Sequence, residues 1–168
     1  MFEHTIADDL DDAERYAELV LAVRGITSDE PDLIANLANV AAVLWHGLPR
    51  INWVGFYLHK DGGLVVGPFQ GRPACVRIPI GSGVCGTAAA QRRSVLVTDV
   101  DAFPGHIPCD AASRSEIVVP IVVGDTLIGV LDVDSPDLAR FTDVDRVGLE
   151  AVVVALIPAL MAAQGANA

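Results

Sequence analysis

Three cysteines and a set of carboxylates carry the chemistry this chain could perform. Cys109 lies in a polar stretch, His106-Ile107-Pro108-Cys109-Asp110-Ala111-Ala112-Ser113-Arg114, just ahead of the apolar run Ile117 to Val123. A packing cysteine belongs inside such a run. One at its mouth, between proline and aspartate, points to thiol reactivity. Cys75 and Cys85 lie upstream in glycine- and proline-rich sequence. The three spacings lack the close pairs of a structural zinc site, the histidines do not cluster with them, and no metal is expected. An odd number of cysteines also speaks against a secreted disulfide framework.

Asp132 and Asp134 end the strongest strand candidate, and positions two apart on a strand share a face. Two carboxylates on one face repel, so they gain most from a cationic ligand, a metal or a shared proton. Alternatively they simply end a strand in water. Glu116 opens the preceding strand; if the two strands form a hairpin, the acidic group has three members. Such a group can hold an ammonium, with a hard metal such as calcium or magnesium as the rival. Cys109, seven residues before Glu116, falls at the same edge. The acids would not activate the thiol, because negative neighbours raise a cysteine pKa. Trp53 and Tyr57 could lie on one face of the first strand, although the positions between them allow a bulge, and could wall a pocket for a thioether-like chain or be ordinary core aromatics. His106 could serve as a base, with no orienting partner evident. Gly81-x-Gly83 lacks the further glycines and the lysine of a nucleotide loop.

These residues need a scaffold. A chain of 168 residues, 52% hydrophobic, fits one domain over 1–168, with residues 1–10 and 164–168 frayed. A first helix follows Asp11-Asp12 and ends near Gly25, and a second begins near Glu30-Pro31. Strands are expected over Ile51 to His59, Leu64 to Phe69, Cys75 to Ile78, Ser94 to Thr98, Ile117 to Val123 and Thr126 to Val133. A short helix follows Gly81-Ser82-Gly83, and a loop spans Asp99 to Ser115. The last helix starts at Thr142 and is apolar on nearly every side from Ala151 to Ala162; Pro158 should kink or end it. That helix is either deeply sandwiched or part of a dimer interface. Asp61-Gly62-Gly63 and Gly124-Asp125 are hairpin signals. An α+β fold follows, an antiparallel sheet with helices packed on it. The net charge of −11 argues against nucleic acid or an anionic membrane as partner. Ala151 to Ala163 is too short to span a bilayer and no signal-peptide pattern opens the chain, so a cytoplasmic protein is expected.

Five stretches together resemble one enzyme family. They are Trp53-x-Gly55-Phe56-Tyr57, Gly67-Pro68-Phe69-Gln70-Gly71-x-Pro73-Ala74-Cys75, Gly83-Val84-Cys85-Gly86-Thr87-Ala88, His106-Ile107-x-Cys109-Asp110-x-x-Ser113-x-Ser115-Glu116-Ile117-Val118-x-Pro120 and Gly129-Val130-Leu131-Asp132-x-Asp134-Ser135. The family is the GAF-domain free methionine-(R)-sulfoxide reductases, and the resemblance runs from about Asn52 to Phe141. It implies a GAF-like fold with a central antiparallel sheet, no bound cofactor, thioredoxin as external reductant and a homodimer. It further implies that Cys109 attacks the sulfoxide sulfur, that Cys75 resolves the sulfenic acid, and that Cys85 can join alternative disulfides. Glu116, Asp132, Asp134, Trp53 and Tyr57 then line the substrate pocket. An acid beside a sulfoxide can protonate its oxygen, a role open to Glu116 if burial raises its pKa. A non-catalytic GAF sensor of small molecules or redox state is the competing reading.

Overall fold

Alternation along the strands of one sheet decides which side chains meet. The computed structural model describes residues 6–7, 9–107 and 110–166. Its elements are α1 (Asp12–Thr27), α2 (Leu33–Gly47), β1 (Trp53–Lys60), β2 (Gly63–Gly71), β3 (Arg77–Pro79), α3 (Gly83–Gln91), β4 (Val95–Val97), β5 (Ser115–Val123), β6 (Thr126–Ser135) and α4 (Asp143–Ala166). The six strands form one sheet in the order β3-β2-β1-β6-β5-β4, antiparallel throughout. This is the expected α+β architecture. The loop before β5 adds a single 3-10 turn, Val100–Ala102.

Each sheet face has its own core. Val54, Phe56 and Leu58 of β1, Ile117, Val119 and Ile121 of β5, and Leu131 and Val133 of β6 pack against α1, α2 and α4. The alternate residues, including Trp53, Tyr57, Val118 and Val130, face α3 with Val84, Cys85, Ala88 and Ala89. A period of two therefore sends Glu116, Asp132 and Asp134 to the α3 face, since their neighbours Ile117, Leu131 and Val133 fill the other.

Several boundaries depart from the sequence expectation for local reasons. Helix α2 begins at Leu33 rather than Glu30-Pro31, because the Asp32 carboxylate accepts the Ala35 N–H at 2.8 Å and so occupies the cap. Helix α1 runs past Gly25 to Thr27, and its start carries a reciprocal cap between Asp11 and Glu14. The third strand is Arg77–Pro79, so Cys75 precedes it in irregular chain. Pro158 neither ends nor breaks α4, which continues through Ala166. Pro158 and Val154 both lie on the solvent-facing side, where water can replace the missing N–H. Over Asp143–Ala163, α4 is long and apolar enough to cross a membrane, contrary to the shorter apolar stretch read from sequence. Half of it is buried within the domain, as befits a core helix.

A buried polar staple joins α4 to the rest. Arg140 Nη1 donates to Asp145 Oδ1 at 3.0 Å, Tyr16 Oη donates to the same oxygen at 2.9 Å, and Arg140 Nε reaches the Pro49 carbonyl at 3.1 Å. Burial alone would raise the Asp145 pKa; the Thr142 N–H and hydroxyl, the Arg140 charge and the Tyr16 hydroxyl outweigh it and hold the carboxyl below its usual range. The Arg140 N–H also donates to the Ser115 hydroxyl, which itself donates to the Asp137 carbonyl. The segment after β6 is thereby fixed over the start of β5, one residue from Glu116.

Candidate active site

The register of β1, β6 and β5 assembles an acidic row. Trp53 pairs with Asp134, which pairs in turn with Glu116; Gly55 pairs with Asp132, which pairs with Val118. Paired residues of neighbouring strands point to the same face. Glu116 and Asp132 are buried and Asp134 is partly so. Helix α3 closes over them from above. Its Gly86 lies so near the Pro79 carbonyl and Gly81 that a Cβ would collide with backbone, and this close approach seats Cys85 at the acids. The Cys85 thiol stands 3.9 Å from Glu116 Oε1.

Burial dominates the electrostatics of the group. It pushes Glu116 well above the usual carboxylate range, with the charges of Asp132 and Asp134 adding to the effect. Asp132 is pushed up to about 7 by burial, against the hydrogen bonds of Cys85 and Glu116 and the Val133 N–H. Asp134 is raised by burial, then by Asp132 and Asp110. Cys85 occupies the first turn of α3, where the helix end favours a thiolate. Burial and the carboxylates of Asp132 and Glu116 win, and its pKa rises well above the usual thiol value. The recess therefore favours the protonated forms of Cys85 and Glu116.

Aromatic side chains and two loops complete the recess. Trp53 stacks on Tyr57 with ring centroids 5.9 Å apart and on Phe69 at 5.2 Å. The β2–β1 register slips between Gly55 and Tyr57, but β1 stays in register with β6, so both rings keep one face. Both rings also grip the segment between β2 and β3. Trp53 Nε1 donates to the Arg72 carbonyl at 3.1 Å, and Tyr57 Oη donates to the Cys75 carbonyl at 3.0 Å. Cys75 takes part in a disulfide, and Cys85 is a free thiol. A cavity of about 30 Å³ lies among Tyr57, Cys85, His106, Glu116, Asp132 and Asp134. A second of about 10 Å³ lies among Trp53, Arg72, Asp110 and the two β6 aspartates. The larger has room for about two waters.

Of the residues singled out from sequence, Trp53, Tyr57, Cys75, Cys85, Glu116, Asp132 and Asp134 meet here. Cys109 lies outside the described residues. Sequence reasoning missed Asn52, whose amide donates to Asp110 Oδ2 at 3.2 Å and to the Ser113 hydroxyl at 3.0 Å. It also missed Asp110, a fourth carboxylate facing both cavities. Asp110 lies in loop sequence, where periodicity gives no signal, and Asn52, expected inside the first strand, precedes β1, which begins at Trp53. His106, read without a partner, has Nε2 3.8 Å from Glu116 Oε2. Its pKa is lowered by burial, against the charge of Asp101.

Two expectations follow from this geometry. Tyr57→Phe removes the hydroxyl that holds the Cys75 carbonyl, a bond worth about 0.5–1.5 kcal/mol. Amide exchange should quicken across residues 72–76 and stay unchanged in α1 and α4; unchanged exchange at 72–76 would show that the hydroxyl does not hold the segment. Asp132 has a folded pKa of about 7 against an ordinary value of 3.8, so the folded protein holds this proton more tightly than the unfolded chain. Stability from the group is complete below the unfolded value and is lost as pH rises through about 7. Asp132→Asn should therefore match wild type at pH 4 and exceed it at pH 8, by about 1–3 kcal/mol in urea unfolding.

Comparisons with known proteins agree with the geometry. A GAF domain model matches residues 27–156. The chain is 52% identical over 143 residues to the free methionine-R-sulfoxide reductase of Escherichia coli, covering 85% of this chain and 87% of that protein. It is 40% identical over 152 residues to the enzyme of the same name from Saccharomyces cerevisiae, covering 86% and 84%. The X-ray structure of free methionine-R-sulfoxide reductase from Neisseria meningitidis in complex with its substrate superposes with a TM-score of 0.93 at 45% identity, over 98% of both chains. The chain belongs to the GAF-domain family of free methionine-(R)-sulfoxide reductases.

Proposed function

We propose that this chain reduces free methionine-(R)-sulfoxide to methionine, with Cys109 as nucleophile, Cys75 as resolving thiol and thioredoxin as external reductant. The observation that carries the reading is the recess itself. Glu116, Asp132 and Asp134 line one recess, and the two aspartates share a further cavity with the segment that leads to Cys75. Asp132 and Asp134 suit the ammonium of a free amino acid, which an internal peptide methionine lacks. Trp53 and Tyr57 suit the methyl-sulfur end.

The chemistry balances without a bound cofactor. The Cys109 sulfur attacks the sulfoxide sulfur while Glu116 gives its proton to the oxygen. The protonated oxygen passes to the Cys109 sulfur, the bonds from the substrate sulfur to that oxygen and to Cys109 both break, methionine leaves with the electron pair, and Cys109 becomes a sulfenic acid. The proton lost by the Cys109 thiol restores Glu116. The Cys75 thiol then attacks the sulfenic sulfur, water leaves, and a disulfide remains. Thioredoxin's dithiol reduces that disulfide by exchange and is itself oxidised. The pairing is supported by the cysteine states: Cys75 is bonded, Cys85 is free, and the sequence has three cysteines. Cys85, protonated beside Glu116, shares in holding the acid and remains a third thiol for alternative disulfides.

The protein is further proposed to work as a cytoplasmic homodimer, away from membranes and nucleic acid. The outer stripe of α4 is apolar where it is exposed: Val144, Val147, Ala151, Val154, Pro158 and Met161. Their alternating three- and four-residue spacing makes a seam for a second helix, and Leu21 of α1 adds to it with 57% exposure. Light scattering should give a dimer for wild type and a monomer for Val147→Glu combined with Val154→Glu. A monomeric wild type would remove the interface.

The activity is tested with free and peptide-bound sulfoxides of both epimers, thioredoxin and its reductase. Wild type should release methionine from the free R epimer alone. Cys109→Ser should abolish release, whereas Cys75→Ser should give about one methionine per chain and then stall. Release that survives Cys109→Ser would name another nucleophile. Wild type that releases nothing would favour the non-catalytic GAF sensor.

A further inference from the structure

The small size of the recess and its donor atoms suit a single ion. Ligand atoms of Cys85, Glu116 and Asp132 all lie within 4.8 Å of one another, and all three residues are buried. His106 Nε2 stands 3.8 Å from the second Glu116 oxygen, at the rim. The cavity among these four residues is about 30 Å³. Asp132 is 6% exposed, and its Oδ1, buried at the cavity, has no hydrogen-bond partner. A buried carboxylate oxygen left unsatisfied is costly and expects a ligand. Among the described residues neither Asp132 nor Asp134 has a cationic side chain to neutralise it.

We propose that this recess is a zinc site, with Cys85, Glu116 and Asp132 as ligands and His106 as the fourth, and that zinc held there excludes the substrate. The donor set selects the metal. One sulfur, one imidazole nitrogen and two carboxylate oxygens match zinc's borderline preference and tetrahedral habit. Calcium needs six to eight oxygens and magnesium a near-ideal octahedron, which four donors of this mixture do not supply. Zinc–sulfur bonds of about 2.3 Å and zinc–oxygen or zinc–nitrogen bonds of about 2.0 Å put ligand atoms about 3.3–3.8 Å apart. Among Cys85, Glu116 and Asp132 the ligand atoms lie within 4.8 Å of one another and need at most about 1 Å of closure, while His106, 3.8 Å from the other Glu116 oxygen, has to turn inward from the rim to complete the set. Binding displaces the protons of the ligating groups. It also leaves no free Glu116 to protonate a sulfoxide and no free Asp132 for an ammonium. The metal site stands on its own geometry; only the exclusion of substrate rests on the function proposed above.

Cobalt serves as the probe because it replaces zinc in tetrahedral sites and absorbs when bound to thiolate. The protein is used with its disulfide intact, so that Cys75 is bonded and Cys85 is the free thiol. Titration with cobalt should produce a thiolate-to-metal band in the near ultraviolet, saturating at one ion per chain and abolished by one equivalent of zinc. Cys85→Ser should remove the band, and Asp132→Asn should keep it while weakening zinc binding at least tenfold. Circular dichroism checks that both variants are folded. Zinc should also protect Cys85 of the wild type from alkylation, a readout that needs no variant. No band in wild type, a band surviving Cys85→Ser, or alkylation unaffected by zinc would overturn the site. In the reduced enzyme, stoichiometric zinc should stop methionine release, and a chelator should restore it. Unimpeded turnover with zinc bound would overturn the exclusion, and absence of turnover without zinc would count against the proposed function instead.

Discussion

Carboxyl groups brought together away from water cannot all stay ionised. Glu116, Asp132 and Asp134 are forced onto one sheet face by the hydrophobic neighbours that alternate with them, and α3 denies Glu116 and Asp132 solvent. Each must then keep a proton, share one, or find a cation. Folding in the absence of a ligand works against this arrangement, because every buried carboxylate without a partner destabilises the domain. The rest of the structure is organised to hold the acids there regardless. Their poise, ready to give up a proton or accept a cation, is the property the proposed chemistry calls on.

The stabilisation needed for this comes from the opposite face of the same sheet. β1, β5 and β6 place one set of side chains among the acids and the alternate set in the main core with α1, α2 and α4. A slip of one residue between β5 and β6 would exchange the two sets and put carboxylates into that core. The register is thus specified by function and packing together. The Arg140–Asp145–Tyr16 staple adds a second constraint, because it fixes the segment beyond β6 over the start of β5. There a buried carboxylate does the opposite of those in the recess: supplied with a guanidinium, hydroxyls and an N–H, it stays ionised.

The sheet, the hairpin of β5 and β6 and the meeting of Glu116 with the two aspartates were legible because strand periodicity is local. Asp132 and Asp134 are two apart, and Gly124-Asp125 sets the hairpin that carries Glu116 across from Asp134. The α3–Cys85 contact was less legible, since nothing in Gly83-Val84-Cys85-Gly86 says which sheet face the helix will cover. The role of Gly86 appears only when the Pro79 carbonyl lies against it. Asn52 was invisible for a similar reason: its amide joins Asp110 and Ser113 across some sixty positions of chain. Pro158 misled because a proline rule for helix interiors does not know that the freed carbonyl faces water.

Environment also separates the roles of otherwise identical thiols. A nucleophilic cysteine needs access to its thiolate form, and the acid recess is the worst place in the domain to generate one. Cys85 sits in that recess, and even the first turn of a helix does not offset burial beside two carboxyl groups. Its proton is therefore retained, and the sulfur is left as a donor or a metal ligand. A reactive thiol serving the same recess has to approach from the loop side. There Asp110 and Ser113 are tied down by Asn52, and the Cys75 carbonyl is held by Tyr57. Each tether consists of two side-chain hydrogen bonds, from the Asn52 amide on one side and from Trp53 and Tyr57 on the other, each worth about 0.5–1.5 kcal/mol. The fold thus keeps its acids on hydrogen-bonded strands and Cys75 in irregular chain between β2 and β3, so that the segment carrying this sulfur is tied to the recess without sharing the strands that hold the charges.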